Sequence, residues 1–289
     1  MRTFICMTAA LASRYPEVFW PIKINLEVSG VEVKVIHKTE NIWCRDWMPI
    51  QINGELFRFQ YKTVEYSKWP QLDVSNEPWT GAFSSPIRTF PNIIIDGGNV
   101  VAGFGKVIMT DKVIKENGSS IVGQLEKLFN SQIIIVPTEC GDDLGHSDGI
   151  VKFINADTVL INDYSRIAKR DKSFYAYENE LENILRSHGF AIHKIINTYD
   201  LWDWNMPERQ FRQFFPFADA YGPGYGYHIN FLRVGSVILL PAMKIKQDAE
   251  AFETIRTHYS DCRIVMIDCS RISFEGGLVH CSTAGPYTS

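Results

Sequence analysis

The chain has 289 residues, of which 45% are hydrophobic and 21% charged, and its formal net charge is −4. This composition is typical of a globular protein with a full hydrophobic core. The small negative charge and the lack of a long basic run argue against a nucleic-acid partner. No apolar stretch reaches the roughly 20 residues of a membrane-spanning helix, so no membrane association is expected.

The first residues, MRTFICMTAALAS, have two interpretations. One is a strand over residues 3–7 that leads into a helix. The other is a signal peptide, although the segment is shorter than the usual roughly 15 to 30 residues. We favour the strand and helix.

Six cysteines are scattered along the chain without the spacing of a disulfide framework or of a CxxC metal motif. A reducing compartment is therefore expected, and we predict a cytoplasmic protein.

One local pattern recurs along the sequence. Segments 96–111, 148–163 and 226–241 each place a polar turn before two apolar strands, and segment 45–59 follows the pattern more loosely. Helical patterns follow the first three hairpins, at 119–129, 173–189 and 248–259, and a further strand follows each helix. Repeats of this size indicate a radial or solenoid architecture. We predict one α/β domain over residues 1–289, a five-bladed pseudo-symmetric propeller of strand-strand-helix-strand units.

The turns that open these hairpins carry ionisable side chains. In a radial arrangement they point toward the common axis, which predicts a site there. The residues are Asp46, Asp96, His146, Asp148 and, near the C-terminus, Cys281.

Cys281 lies in the segment GGLVHCSTAG and is a candidate nucleophile, with a buried thiol as the alternative. The preceding pair, Gly276 and Gly277, allows close approach of the backbone, and nearby N–H groups could lower the pKa of the thiol. On an extended segment the neighbouring His280 would face the opposite way, so it is a poor acid-base partner.

The other turn residues each have a functional and a structural interpretation. On an extended segment His146 and Asp148 point to the same side, where a histidine can transfer protons and a carboxylate can hold a cation. The structural alternatives are a surface loop for His146 and Asp148, an ion pair of Asp46 with Arg45, and a turn aspartate that bonds its own backbone for Asp96. A zinc site is a further alternative, with ligands from Cys140, His146, Asp148, His280 and Cys281.

Two aromatic-rich segments, 69–83 and 201–227, interrupt the repeat and are candidates for binding loops. The glycines at 222, 224 and 226 could act as hinges of a lid, and packing over the ends of the blades is the alternative. Candidate substrate-loop residues are Arg45, Trp202, Trp204 and Asn230.

Five motifs occur in order from about residue 40 to the C-terminus: WCRDWMPI, DGGN, GHSDGIVKF, YHINF and GGLVHCST. Together they resemble those of the agmatine deiminase and Porphyromonas-type peptidylarginine deiminase family of guanidino-modifying enzymes. The resemblance implies the pentein fold, a five-bladed α/β propeller with its active site on the axis.

The resemblance also implies a deiminase chemistry. Cys281 would attack the guanidinium carbon and form a covalent thiouronium intermediate, and His146 would act first as general acid and then as general base. Asp96 would orient His146, and Asp46 and Asp148 would bind the guanidinium nitrogens. The implied partner is a small cationic guanidino substrate, with no metal or organic cofactor. The oligomeric state is not predicted.

Two departures from the family pattern leave alternatives open. The family usually has Glu where this chain has Asp96, and Asp there is a feature of amidinotransferases; the Gln-rich continuation of agmatine deiminases is also missing. An amidinotransferase, a peptidyl-arginine deiminase and a non-catalytic pentein binding module are therefore alternatives. An α-carboxylate on the substrate would need an arginine, from Arg45, Arg209, Arg212 or Arg233, whereas a second ammonium would need a carboxylate or an aromatic cage from residues 200–225.

Overall fold

The structure is a computed structural model that describes residues 3–62, 72–142, 144–198 and 227–285. It begins with strand β1 (Phe4–Thr8), helices α1 (Ala9–Arg14) and α2 (Pro16–Val28), and strand β2 (Glu32–Ile36). Strand β1 is buried along its whole length and pairs in parallel with β2. The predicted N-terminal strand and helix are confirmed.

Four three-stranded sheets follow within the described ranges, and they repeat one topology. In each, the first two strands form an antiparallel hairpin, and the third strand pairs in parallel with the second. The sheets are β3 (Ile50–Ile52), β4 (Glu55–Gln60) and β5 (Ile87–Ile94); β6 (Val101–Gly103), β7 (Lys106–Thr110) and β8 (Gln132–Val136); β9 (Val151–Asn155), β10 (Thr158–Asp163) and β11 (Ala191–Ile196); and β12 (Leu232–Val234), β13 (Val237–Ala242) and β14 (Arg263–Asp268).

Helices connect the second and third strands of three of these sheets, as the sequence pattern predicted. They are α4 (Lys112–Asn117) and α5 (Ile121–Phe129) before β8, α6 (Ser173–Ser187) before β11, and α7 (Asp248–His258) before β14; a short helix, α3 (Cys44–Trp47), precedes β3. The buried face of α5 consists of Ile121, Leu125 and Phe129, and Leu128 is partly buried against the same core. Hydrophobic cores lie between the helices and the sheets.

The segment near residue 284 joins the first sheet. Cys6 and Ala284 form an antiparallel bridge, in which Cys6 N donates to Ala284 O (2.6 Å) and Ala284 N donates to Cys6 O (3.1 Å). The observed architecture is thus an α/β fold of five small open sheets within the described residues. Helices long and apolar enough to cross a membrane are absent from the same residues.

Candidate active site

Short helical turns precede the hairpins and carry the candidate site residues. Asp46 lies on α3, Asp96 comes directly before a 3₁₀ turn at Gly97–Asn99, and His146 comes directly before another at Ser147–Gly149. Segment 147–149 is therefore a turn and not the extended segment that we assumed. His146 and Asp148 nevertheless line the same pocket.

The backbone around Cys281 is also a turn. Asn230 holds it: its Oδ1 accepts from the backbone N–H groups of His280 (3.1 Å) and Cys281 (3.3 Å), and its Nδ2 donates to Cys281 Sγ (3.2 Å). A Cβ atom on Gly277 would lie 2.6 Å from the ring of Trp43, so a glycine is needed for this close approach.

Because the segment is a turn, His280 does not face away from the site as we predicted. Its Nδ1 lies 2.6 Å from Asp148 Oδ2, and Cys281 Sγ lies 3.8 Å from the same oxygen. Burial lowers the pKa of His280 well below its usual value, so the neutral ring donates Nδ1–H to the carboxylate. Burial alone would raise the pKa of Asp148, but the bond from His280 outweighs it and holds that pKa low. Asp148 is thus an ionised acceptor beside the sulfur.

His146 lies between two carboxylates. Its Nε2 is 3.2 Å from Asp96 Oδ2, and its Nδ1 is 3.6 Å from Asp46 Oδ1, which also accepts from Gly98 N (3.0 Å). Burial disfavours the imidazolium, but the two carboxylates outweigh it and raise the pKa of His146 to about 9. The histidine is therefore protonated at neutral pH, which suits a general acid.

Negative charge also surrounds Cys281, but there it disfavours the charged form, the thiolate. Burial raises the pKa of its thiol well above the usual value, and the negative charges of Asp148 and Asp46 raise it further. The thiol is therefore protonated in the free protein. A cation between these carboxylates would remove that penalty and favour the thiolate.

A front pocket of about 50 Å³ contains the sulfur. Its lining includes His146, Asp148 and Cys281 and, at another point of the wall, Glu139 and Tyr227. The Tyr227 hydroxyl and the Tyr164 hydroxyl (2.8 Å) both donate to the carboxylate of Glu139. Burial raises the pKa of Glu139 to about 8. Arginine and lysine are absent from the lining that the described residues provide.

The remaining predicted site residues lie elsewhere. Arg45 is buried, donates from Nε to His280 O (3.3 Å), and lines a second cavity with Arg233 instead of the front pocket. Trp202 and Trp204, together with Arg209, Arg212 and the proposed glycine hinges, lie outside the described residues. Within the described ranges, no group of three His, Cys, Asp or Glu side chains could hold a metal ion.

Three charged residues of this region were missed in the sequence. Lys112 on α4 contacts Asp96 Oδ2, Lys152 on β9 is buried near Asp148, and Glu139 follows β8. Lys112 and Glu139 belong to none of the five motifs and come near the site only through folding. Lys152 lies within the motif GHSDGIVKF, but we did not single it out. Asn230 was predicted, but as a substrate-loop residue and not as the residue that holds the Cys281 turn.

Comparison with known proteins identifies the family. Residues 6–285 match the family model described as Porphyromonas-type peptidyl-arginine deiminase. The chain belongs to this family. It is accordingly an enzyme that hydrolyses C–N bonds of amidines, a guanidino-group hydrolase of the deiminase type. A search of curated proteins finds no significant match.

Solved structures share the fold at low sequence identity. Agmatine deiminase of C. jejuni with substrate bound is 16% identical, with a TM-score of 0.74 and coverage of 100% of this chain and 94% of that chain. Agmatine deiminase of Enterococcus faecalis is 16% identical, with a TM-score of 0.69 and coverage of 98% and 93%. DDAH from Pseudomonas aeruginosa, complexed with citrulline, is 11% identical, with a TM-score of 0.57 and coverage of 99% of both chains. At these identities the similarity shows the shared fold.

Proposed function

We propose that the protein is a deiminase of a small cationic guanidino compound and releases ammonia through a covalent thiouronium intermediate on Cys281. The observation that carries the proposal is that Cys281, His146 and Asp148 line one pocket. A nucleophile, a protonated general acid and an ionised carboxylate are the groups that this hydrolysis needs.

Asp148 and Asp46 would bind the guanidinium. Asp148 Oδ1 and Asp46 Oδ2 receive no hydrogen bond from the described residues and are available as acceptors. Asp148 lines the front pocket, whereas Asp46 lies beside His146 and is not part of its lining. The bound cation lowers the pKa of Cys281, whose thiol then loses its proton to solvent. In this way the substrate activates its own nucleophile.

The covalent step follows from the charge states of these groups. The thiolate adds to the central carbon, and the imidazolium of His146 gives its proton to one nitrogen, which leaves as ammonia. Neutral His146 then takes a proton from water, and the resulting hydroxide adds to the thiouronium carbon. Collapse of this second adduct breaks the C–S bond and releases the ureido product. Asp96 orients His146 in both halves.

The pocket lining favours a substrate with a cationic tail. Asp142 lies on the wall of the front pocket, whereas Arg45 and Arg233, two candidates for an α-carboxylate, line the other cavity. An agmatine-like compound therefore suits the described part of the pocket better than arginine does.

Three broader proposals accompany the function. We propose that the five sheets are the blades of one radial pentein domain, which the repeated topology and the Cys6–Ala284 bridge support.

The six cysteines are all free, which supports a reducing, cytoplasmic compartment. The chemistry described above uses no metal or organic cofactor.

The test is release of ammonia and ureido product from agmatine, arginine, methylarginines, guanidinopropionate and an arginyl peptide. We expect agmatine-like compounds to be turned over, and Cys281→Ala to reduce turnover by at least about 10³-fold because the nucleophile is lost. The matched control is Cys262→Ala, at a half-buried cysteine outside the pocket, and it should keep wild-type turnover. Wild-type turnover by Cys281→Ala would refute the proposal.

If no compound of the panel is turned over, the rate of alkylation of Cys281 provides a second measurement. Chloroacetamidine is a cationic electrophile, so Asp148 should direct it to Cys281 faster than the neutral reagent with the same leaving group, chloroacetamide, and Asp148→Asn should remove that preference. Peptide mass spectrometry identifies the alkylated cysteine. Equal rates for both reagents at Cys281, together with a silent panel, would contradict guanidino chemistry.

A further inference from the structure

A rear cavity of about 100 Å³ lies behind the catalytic turn. We define it by Arg45, Lys152, Arg233 and His280 together with the aromatic walls Phe153 and Phe231. It shares no lining residue with the front pocket. The wall between the two cavities is thin, because His280 lines the rear cavity while its Nδ1 contacts Asp148 of the front pocket.

Lys152 is the unexplained group in this cavity. Its side chain is only 8% exposed, and no hydrogen bond or ion pair joins it to any residue in the described part of the chain. The ring of Phe231 lies 5.8 Å from Nζ. A buried ammonium without a paired anion is costly, and burial lowers the pKa of Lys152 to about 8.

The charged side chains that line the rear cavity have one sign, and Asp148, the carboxylate near Lys152, lies on the other side of the wall in the front pocket. Arg45 and Arg233 line the same cavity, and no aspartate or glutamate among the described residues does. The guanidinium substrate that we propose for the front pocket would be repelled here. An anion would be attracted by all three cations and would give Lys152 the partner that it lacks.

The walls narrow the choice of anion. Phe153 and Phe231, with aliphatic side chains such as Val100 and Ile50, make a little over half of the cavity wall apolar. Its volume of about 100 Å³ is well above the roughly 10–15 Å³ that one water molecule needs, so the cavity admits a small anion. We propose that the rear cavity is a binding site for a small organic monocarboxylate, whose carboxylate pairs with Lys152 and whose apolar part lies against Phe153 and Phe231.

Calorimetric titration of the full chain with sodium propionate at neutral pH and constant low ionic strength tests the proposal. We expect saturable binding to the wild type at millimolar concentration. Lys152→Met removes the cation and keeps the length of the side chain, so it should weaken binding by about tenfold or more, as expected for loss of a charge-assisted hydrogen bond. Lys152→Arg keeps the charge and should retain binding.

The matched control is Lys106→Met, at a partly buried lysine that lies over the ring of Phe190 outside the cavity. It changes the net charge equally and should leave propionate affinity unchanged. Circular dichroism confirms that each variant is folded. Equal affinity of wild type and Lys152→Met, or no binding to the wild type, would overturn the proposal. Chloride binding as tightly as propionate would overturn the assignment to a carboxylate.

Discussion

At the scale of single residues, one oxygen of Asp96 accepts hydrogen bonds from two cationic side chains. Asp96 Oδ2 accepts from His146 Nε2 at 3.2 Å and also from Lys112 Nζ. Asp96 and Asp46 hold His146 in its protonated form, while the charge of Lys112 acts against that form. Burial raises the pKa of Asp46 to about 6. Between about pH 6 and pH 9, therefore, the free enzyme has an ionised Asp46 and a protonated His146.

We predict that kcat/KM rises with pH up to the pKa of His146, because it reports groups of the free enzyme and the Cys281 thiol of that enzyme must lose its proton. The rise is steeper below about pH 6, where Asp46 is protonated, and it ends at an alkaline limb near pH 9, where His146 loses its proton. Asp96→Asn removes a charge that favours the imidazolium, so the alkaline limb should move down by about one unit. Lys112→Met removes an opposing charge, so the same limb should move up.

The control for these profiles is Lys115→Met. Lys115 lies on the same helix, α4, but is exposed and pairs with Asp111 away from the site. Its profile should match that of the wild type. An alkaline limb that moves down in Lys112→Met, or that stays fixed in both site variants, would contradict the assignment of the limb to His146.

At the scale of elements, the sequence predicts the regular structure better than the turns. The hairpins, the helices after them and the parallel third strands follow from local apolar periodicity. The turns at 147–149 and around Cys281 are too short to carry a period, so we assumed extended backbone and misjudged the direction of His280. Lys112 was missed for another reason. It belongs to a helix, and only packing of that helix brings it to Asp96.

The glycine pair of the turn at residues 97 and 98 provides a test at this scale. A Cβ atom at Gly98 would lie 2.5 Å from His146 Nδ1 and 2.7 Å from Asp46 Oδ1. We predict that Gly98→Ala displaces these side chains and lowers kcat/KM by about 100-fold, the cost of misplacing a catalytic group by roughly 1 Å. Steady-state kinetics and urea unfolding measure the two effects, and the loss of stability should be only about 1–3 kcal/mol.

Gly123→Ala is the control for this substitution. Gly123 lies inside α5, and a Cβ atom at this position would meet no atom within 4 Å, so alanine fits there and should leave kcat/KM unchanged. It should raise the free energy of unfolding by about 0.5–1 kcal/mol, because alanine is the better helix former. Wild-type kcat/KM in Gly98→Ala would mean that His146 and Asp46 tolerate displacement.

At the scale of the whole molecule, the bridge between Cys6 and Ala284 joins the first sheet to the segment that carries Cys281. The Cys44 thiol lies at the same junction and donates to Ser282 O (3.1 Å), and Arg45 N donates to Cys281 O (3.1 Å). The repeated motifs could predict the units, since each unit is local. These contacts could not be predicted in the same way, because they join residues far apart in sequence and no periodicity marks them.

Gly285 provides the test of this junction. Its φ is +147°, and a Cβ atom would lie 2.4 Å from the backbone oxygen of Phe4. We predict that Gly285→Ala lowers the free energy of unfolding by about 1–3 kcal/mol, because a backbone atom cannot move aside as a side chain can. The matched control is Gly235→Ala, in the β12–β13 turn, where φ is also positive but no atom lies within 4 Å. Since both substitutions strain the backbone and only Gly285→Ala adds a clash, urea unfolding should give the larger loss for Gly285→Ala. Equal losses would mean that the first strand can move away from the C-terminal segment at little cost, and the junction would then not fix the position of Cys281.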